Sequence, residues 1–104
     1  MDRMETQCGR CREWLGTYRV MAPFEDATII ESIHLPNGMR TLRGRSNGRL
    51  PRLFFRIESG RRQNSDGSQT FVQKYRWGCT CGNRPVYGQR KLRRLMDNGE
   101  PVLL

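Results

Sequence analysis

The residues with the clearest chemistry are four cysteines in two short pairs. Cys8 and Cys11 form a C-x-x-C turn, and Cys79 and Cys81 form a C-x-C turn that Gly82 follows. A tight turn places two sulfurs on one side of a metal ion, and Zn²⁺ binds four such ligands tetrahedrally at about 2.3 Å. Glycine lets backbone N–H groups approach the sulfurs, which must be anionic to bind metal. The sequence therefore predicts one structural zinc ion held by these four cysteines.

Three other uses of the same cysteines stay open. Two disulfides would also consume four cysteines, as in a secreted chain of this size. Residues 1–7 are short and polar, however, and contain no apolar signal stretch. An iron–sulfur cluster uses the same ligand type. A redox C-x-x-C would not need a second pair, and no βαβ pattern surrounds the first one. The two closely spaced cysteine pairs favour a metal site over these alternatives. Cysteines that stay reduced in this way predict a cytoplasmic protein.

The segments that flank the two pairs resemble the knuckles of a zinc ribbon. The first knuckle, residues 8–11, leads into a predicted strand, and residues 75–82 leave another one. A predicted helix after the second knuckle adds some treble-clef character. The resemblance is at the level of the superfamily and does not cover residues 20–69. It implies a role in binding nucleic acid, in transcription or translation machinery, or in protein contacts.

Composition limits how such a chain folds. Its 104 residues, 36% of them apolar, suit one domain with a small core. A metal ion that joins the two ends of the chain would therefore couple metal binding to folding. No stretch approaches the roughly 20 apolar residues of a membrane-spanning helix, so no membrane partner is expected.

Positive charge is concentrated in two segments. The net charge is +9, and 17 of the 19 basic residues are arginine, which also suits a GC-rich genome such as that of an actinobacterium or its phages. Residues 40–62 and 74–94 each carry a balance of +7, whereas residues 1–39 carry −2. Such density favours a face that meets a polyanion. The predicted nucleic-acid contacts are Arg43, Arg45, Arg49, Arg52, Arg61, Arg62, Lys74, Arg76, Arg90, Lys91, Arg93 and Arg94.

Hydrophobic alternation predicts a small α+β domain, with a mainly antiparallel sheet of about five strands and one C-terminal helix, closed by a zinc site of four cysteines. Residues 1–7 are expected to be a frayed polar lead and residues 59–69 a polar loop. Strands are predicted at residues 13–20, 27–35, 39–42, 53–58 and 70–77. In the first of them Trp14, Tyr18 and Val20 share one face, and in the second Ile29, Ile33 and Leu35 share one face. Turns are expected at 22–26 and, as a hairpin, at 36–38.

The remaining segments carry predictions of their own. A helix is expected over residues 86–98, with Leu92, Leu95 and Met96 as its apolar stripe and Gly99 beyond its end. The apolar tail, residues 101–104, is expected to dock on the sheet or to insert into a partner. Phe54 is expected on the opposite face of its strand from the core, where it either stacks on a base or covers a second cluster.

Two function classes follow from these features. The first is a non-enzymatic zinc-stabilised module that binds DNA or RNA through its arginine-rich surfaces. The alternative is a regulator, a class that includes phage-encoded inhibitors, that docks through Phe54, the tail and the basic face on an acidic surface of RNA polymerase or another nucleic-acid enzyme. An enzyme is not expected, because four thiolates leave zinc no open position and His34 is the only histidine.

Overall fold

Eight strands and one helix make up the fold. The computed structural model describes residues 3–24, 27–44 and 49–104. The elements are β1 (Arg3–Gln7), β2 (Trp14–Phe24), β3 (Ala27–His34), β4 (Arg40–Arg43), β5 (Phe54–Gln63), β6 (Gln69–Gly78), β7 (Val86–Gly88), α1 (Gln89–Asp97) and β8 (Val102–Leu103). The α+β class with a C-terminal helix is confirmed.

The strands form two sheets, so the prediction of one sheet of about five strands is wrong. The first sheet has the order β3-β2-β1-β8 and the second has the order β4-β5-β6-β7. Antiparallel hairpins dominate both, while β8 runs parallel to β1 and β4 runs parallel to β5. Each sheet has one apolar face to bury, and packing these faces together satisfies both.

Residues 3–7 are a strand of the first sheet, so the predicted frayed lead is wrong. The side chains of Met4 and Thr6 are completely buried, while Arg3 and Glu5 are exposed. Strand β1 lies between β2 and β8, and the Thr6 hydroxyl donates a hydrogen bond to the carbonyl of Gly16 at 2.9 Å. The alternation is present in the sequence, but it spans only two buried positions and one of them is polar.

The faces predicted for the side chains of β2 and β3 are partly wrong. Trp14 is 40% exposed, whereas Tyr18 is fully buried. Gly16 takes the positive φ of 117°, and the pairing register shifts in this region, so the strict alternation between faces is lost. Within residues 29–34 of β3 the buried side chain is Ile30, on the face opposite to the predicted one. Of the turn predicted at 22–26, residues 22–24 belong to β2, and residues 25–26 lie outside the described part of the chain.

Two predicted connections also differ from the structure. A turn does form at residues 36–38, where the Met39 N–H donates to the Pro36 carbonyl at 3.0 Å. The chain then leaves the first sheet, and β4 pairs with β5 instead of returning along β3. The loop predicted at 59–69 does connect two strands of a hairpin, but it is shorter than predicted, because β5 and β6 remain paired from Phe54↔Gly78 to Gln63↔Gln69 around a turn at residues 64–68. Turn residues predict a change of direction but not the strand that is met afterwards.

An aromatic cluster joins the two sheets. The rings of Tyr18 and Phe55 lie 4.9 Å apart, and the Trp77 indole N–H donates to the Tyr18 hydroxyl at 2.8 Å. The Ile30 N–H in β3 donates to the Tyr75 hydroxyl in β6 at 3.2 Å. Burial raises the pKa of Tyr18, and burial raises the pKa of Tyr75 to about 12. Both hydroxyls therefore stay protonated and serve as fixed hydrogen-bonding groups between the sheets.

The helix and the tail close the core. The stripe predicted for the helix is confirmed, because Leu92 is fully buried and Leu95 and Met96 pack on the same core. The helix is shorter than predicted, since residues 86–88 form β7. Gly99 takes a φ of 109° just beyond the helix end, as expected. The tail docks within the protein: Val102 is 1% and Leu104 is 5% exposed. No helix in the described ranges is long and apolar enough to cross a membrane.

Candidate functional site

The four predicted metal ligands lie together, which confirms the clustering. Cys8 and Cys11 occupy the connection between β1 and β2, and Cys79 and Cys81 occupy the connection between β6 and β7. Their four sulfur atoms all lie within 4.8 Å of one another. One pair comes from each sheet, so an ion bound here would link the two sheets at one end.

The sulfur positions fit a single ion. The Sγ atoms of Cys8 and Cys81 are 3.6 Å apart, and those of Cys11 and Cys79 are 3.4 Å apart. A tetrahedron of thiolates at about 2.3 Å from a zinc ion has sulfur–sulfur edges of roughly 3.8 Å. A disulfide would require about 2.05 Å. The arrangement therefore suits four ligands around one metal ion better than two disulfides.

Hydrogen bonds stabilise the thiolate form of Cys8, which is the form that binds metal. The Cys8 sulfur accepts hydrogen bonds from the backbone N–H groups of Arg10 at 3.4 Å and Cys11 at 3.5 Å, and from the Asn83 side-chain amide at 3.4 Å. Burial raises the pKa of the Cys8 thiol, but these donors favour the thiolate more strongly and bring the pKa to about 6. Burial raises the pKa of Cys79 to about 12, so a coordinated cation is what would deprotonate it. Asn83 was not among the predicted site residues, since an amide two positions after a C-x-C turn has no distinctive pattern.

The backbone explains how a C-x-C turn matches a C-x-x-C turn. In the first knuckle the Arg12 N–H donates to the Cys8 carbonyl at 2.9 Å, and Arg12 takes a φ of 68°. In the second, the Gly82 N–H donates to the Cys79 carbonyl at 2.8 Å, and Gly82 takes a φ of 94°. Both turns close with a residue in the left-handed region, which glycine adopts without strain.

The first knuckle also contacts the tail of the chain. The Gly9 N–H donates to the Leu104 carbonyl at 2.7 Å, and the Leu104 N–H donates to the Gln7 carbonyl at 2.9 Å. A Cβ atom on Gly9 would overlap that Leu104 carbonyl. Glycine is therefore required at residue 9 by close approach of another backbone.

Replacing Gly9 with alanine is expected to lower the free energy of unfolding by about 1–3 kcal/mol, because the added methyl group pushes the tail away from β1. Chemical denaturation of the metal-loaded protein measures this. Gly60→Ala is the matched control, since nothing lies within 4 Å of a Cβ atom there. Equal stabilities of the two variants would contradict the role of the tail contact.

The predicted nucleic-acid residues divide into three groups. Arg45 lies outside the described residues. Two of them are in ion pairs, Arg76 with Glu58 at 2.5 Å and Arg93 with Asp97 at 3.5 Å. Those on the surface are Arg43, Arg49, Arg52, Arg61, Arg62, Lys74, Arg90, Lys91 and Arg94. Five of these surface residues come together around one groove.

This basic groove has a volume of about 630 Å³ between the exposed half of β6 and the start of α1. It is lined by Arg62, Thr70, Phe71, Val72, Gln73, Lys74, Gly88, Gln89, Arg90, Lys91 and Arg94. Five lining residues are cationic, and none is acidic. Phe71 is 51% exposed within the groove. The sequence shows the aromatic–basic alternation of β6, but it does not show that Phe71 is exposed.

Phe54 does not face solvent, so its predicted role as an exposed contact is wrong. Its side chain is only 2% exposed, and Arg56 beside it is 8% exposed. The guanidinium carbons of Arg56 and Arg84 lie 6.0 and 5.9 Å from the centre of the Phe54 ring. Phe54 thus covers a second small cluster, the other role considered for it, and cation–π contacts hold arginines over it.

Three further titratable groups, His34, Glu58 and Asp66, lie outside the cysteine cluster and the basic groove. His34 is an exposed residue at the end of β3 and is not part of the cysteine cluster. The Glu58 carboxylate is paired with Arg76. Asp66 accepts hydrogen bonds from the hydroxyl and backbone N–H of Ser68, and these lower its pKa.

No protein-family model matches this chain, and no curated protein or solved structure matches it. The resemblance to zinc ribbons therefore remains a prediction that rests on the two cysteine knuckles, and function has to be inferred from the site itself.

Proposed function

We propose that this protein is a non-enzymatic, zinc-stabilised module that binds nucleic acid through the basic groove. The observation that carries the proposal is the lining of the groove, where Arg62, Lys74, Arg90, Lys91 and Arg94 surround one concave surface without a carboxylate. Like charges at this density repel one another unless a polyanion neutralises them. Nucleic acid is such a polyanion, and arginine and lysine bind its phosphate groups.

Zinc is the metal that suits the cysteine cluster best. Four sulfur ligands at tetrahedral separations are typical of zinc or iron–sulfur sites. The 4.8 Å limit on the sulfur–sulfur separations suits one ion, whereas a cluster of several irons needs its ligands farther apart. The ion would be held by all four thiolates, with no position left for substrate, so its role is structural. Metal analysis of the purified protein should give one zinc per chain.

The competing proposal, docking on an acidic protein surface such as that of RNA polymerase, loses two of its predicted contacts. Phe54 is buried under arginines, and the tail is paired with β1. The basic surface alone supports this alternative as well as it supports nucleic acid. A complex that survives nuclease treatment would favour a protein partner.

Salt dependence tests the groove. With about five phosphate contacts, the logarithm of the affinity should fall with the logarithm of salt concentration with a slope of about −3 to −5. The combined variant Lys74→Ala/Lys91→Ala/Arg94→Ala should reduce the slope by about 2–3 and the affinity by roughly 100-fold near 0.1 M salt. Fluorescence anisotropy with labelled DNA and RNA measures both quantities.

A control of equal charge separates the groove from net charge. Arg40 is exposed on β4, at the edge of the second sheet opposite to β7. Arg40→Ala should leave the slope nearly unchanged, whereas Lys91→Ala should lower it by about 0.7–0.9. Equal effects of the two substitutions would contradict binding in the groove, and the absence of any binding at low salt would overturn the proposed function.

A further inference from the structure

Phe71 is unusual among the aromatic residues of β5 and β6. Phe54, Phe55, Tyr75 and Trp77 are at most 2% exposed, whereas Phe71 is 51% exposed. Burying a phenylalanine is favourable by about 1.5–3 kcal/mol relative to leaving it in water. An exposed ring within a concave, charged groove is therefore a candidate surface for an apolar partner.

The same groove contains the beginning of the helix. The residue before α1, Gly88, caps it with extended backbone, and no side chain caps the first turn. Arg90 and Lys91 lie in that turn, and no acidic residue does. The helix dipole places partial positive charge at the same end, and Lys91 adds to it, so this end of α1 favours an anion. The Gln89 Nε2 group, which also lines the groove, has no hydrogen-bond partner in the described ranges.

We infer that the groove binds a single-stranded segment of nucleic acid, with one base stacked on Phe71 and the neighbouring phosphates held by the cations and the helix start. This inference rests on the proposed function and adds the class of nucleic acid. In a duplex the bases are stacked on one another and expose only their edges, so a phenylalanine ring reaches a base face only after costly unstacking. An unpaired strand offers its base faces freely.

The test compares two substitutions at one position. Phe71→Leu keeps an apolar side chain without the ring, and Phe71→Tyr keeps the ring. The probes are a labelled oligothymidylate of about 12 nucleotides and its duplex with oligoadenylate, a length within the range of known single-strand sites. Phe71→Leu should weaken binding to the single strand roughly tenfold, leave the salt slope unchanged and barely affect the duplex. Phe71→Tyr should bind the single strand like the unmodified protein.

The outcomes separate this inference from the proposed function. If Phe71→Leu binds the single strand as tightly as the unmodified protein while the triple lysine–arginine variant does not, the groove binds phosphates without stacking and the inference is overturned. A preference of the unmodified protein for the duplex also overturns it. If the unmodified protein binds neither probe at low salt, the proposed function fails as well. Thermal unfolding of both Phe71 variants at the same temperature as the unmodified protein would show that their fold is intact.

Discussion

Serine in place of Cys8 is expected to leave the chain unfolded. Structural zinc sites of this kind contribute about 10–16 kcal/mol of apparent binding free energy, which is as large as the whole stability of a typical domain. The Cys8 sulfur accepts three hydrogen bonds and lies 3.6 Å from the Cys81 sulfur, so its loss removes a ligand and the centre of that network. Circular dichroism and metal content should show loss of ordered structure together with loss of zinc.

Controls for this experiment lie beside the ligands. Thr80 is exposed between Cys79 and Cys81, and Thr80→Ala should keep both the fold and one zinc ion. A strong chelator should unfold the unmodified protein, and added zinc should refold it. A chelated protein that keeps its full ordered signal would refute the structural role of the metal.

Alanine in place of Trp77 is expected to lower the free energy of unfolding by about 3–5 kcal/mol. The Trp77 ring lies 5.1 Å from Phe55 and 5.8 Å from Tyr18, so it contacts aromatic residues of both sheets. The substitution leaves a large cavity and removes the 2.8 Å hydrogen bond to the Tyr18 hydroxyl. Urea denaturation of the zinc-loaded protein, followed by circular dichroism, gives the change in stability.

The second tryptophan provides a control of the same residue type. Trp14 is 40% exposed, and its indole N–H donates to the exposed Glu5 carboxylate at 3.0 Å. Trp14→Ala should change the free energy of unfolding by less than about 1 kcal/mol. Similar losses for the two tryptophans would mean that the core is not organised around Trp77.

The cysteine cluster and the helix stripe could be predicted from sequence because their signals are local. The spacing within each cysteine pair sets two ligands on one turn, and Leu92, Leu95 and Met96 recur at helical spacing. The division into two sheets could not be predicted in this way. Nothing near residues 36–38 specifies that β4 joins a strand of the other sheet, since that choice depends on packing between distant residues.

The exposure of two phenylalanines does not follow from alternation along their strands. Phe54 is predicted to face away from the core, whereas Phe71 shares a strand face with Tyr75 and Trp77, yet Phe54 is 2% and Phe71 is 51% exposed. Phe54 is covered by neighbours from other segments, among them Arg84, whereas Phe71 lies where β6 extends beyond the core. Alternation along a strand predicts the face of a side chain, but the neighbouring elements decide whether that face is covered.

Strand β6 connects the metal cluster with the basic groove, and its two ends are under different constraints. From Phe71 to its end at Gly78 the strand extends about 23 Å at roughly 3.3 Å per residue. The end near Trp77 lies in the core between the two sheets, and the end near Phe71 borders the groove. Mutations that alter the groove are therefore expected to leave the folding of the protein largely intact. The lining of the groove can therefore change without disturbing the four cysteines or the aromatic core between the sheets.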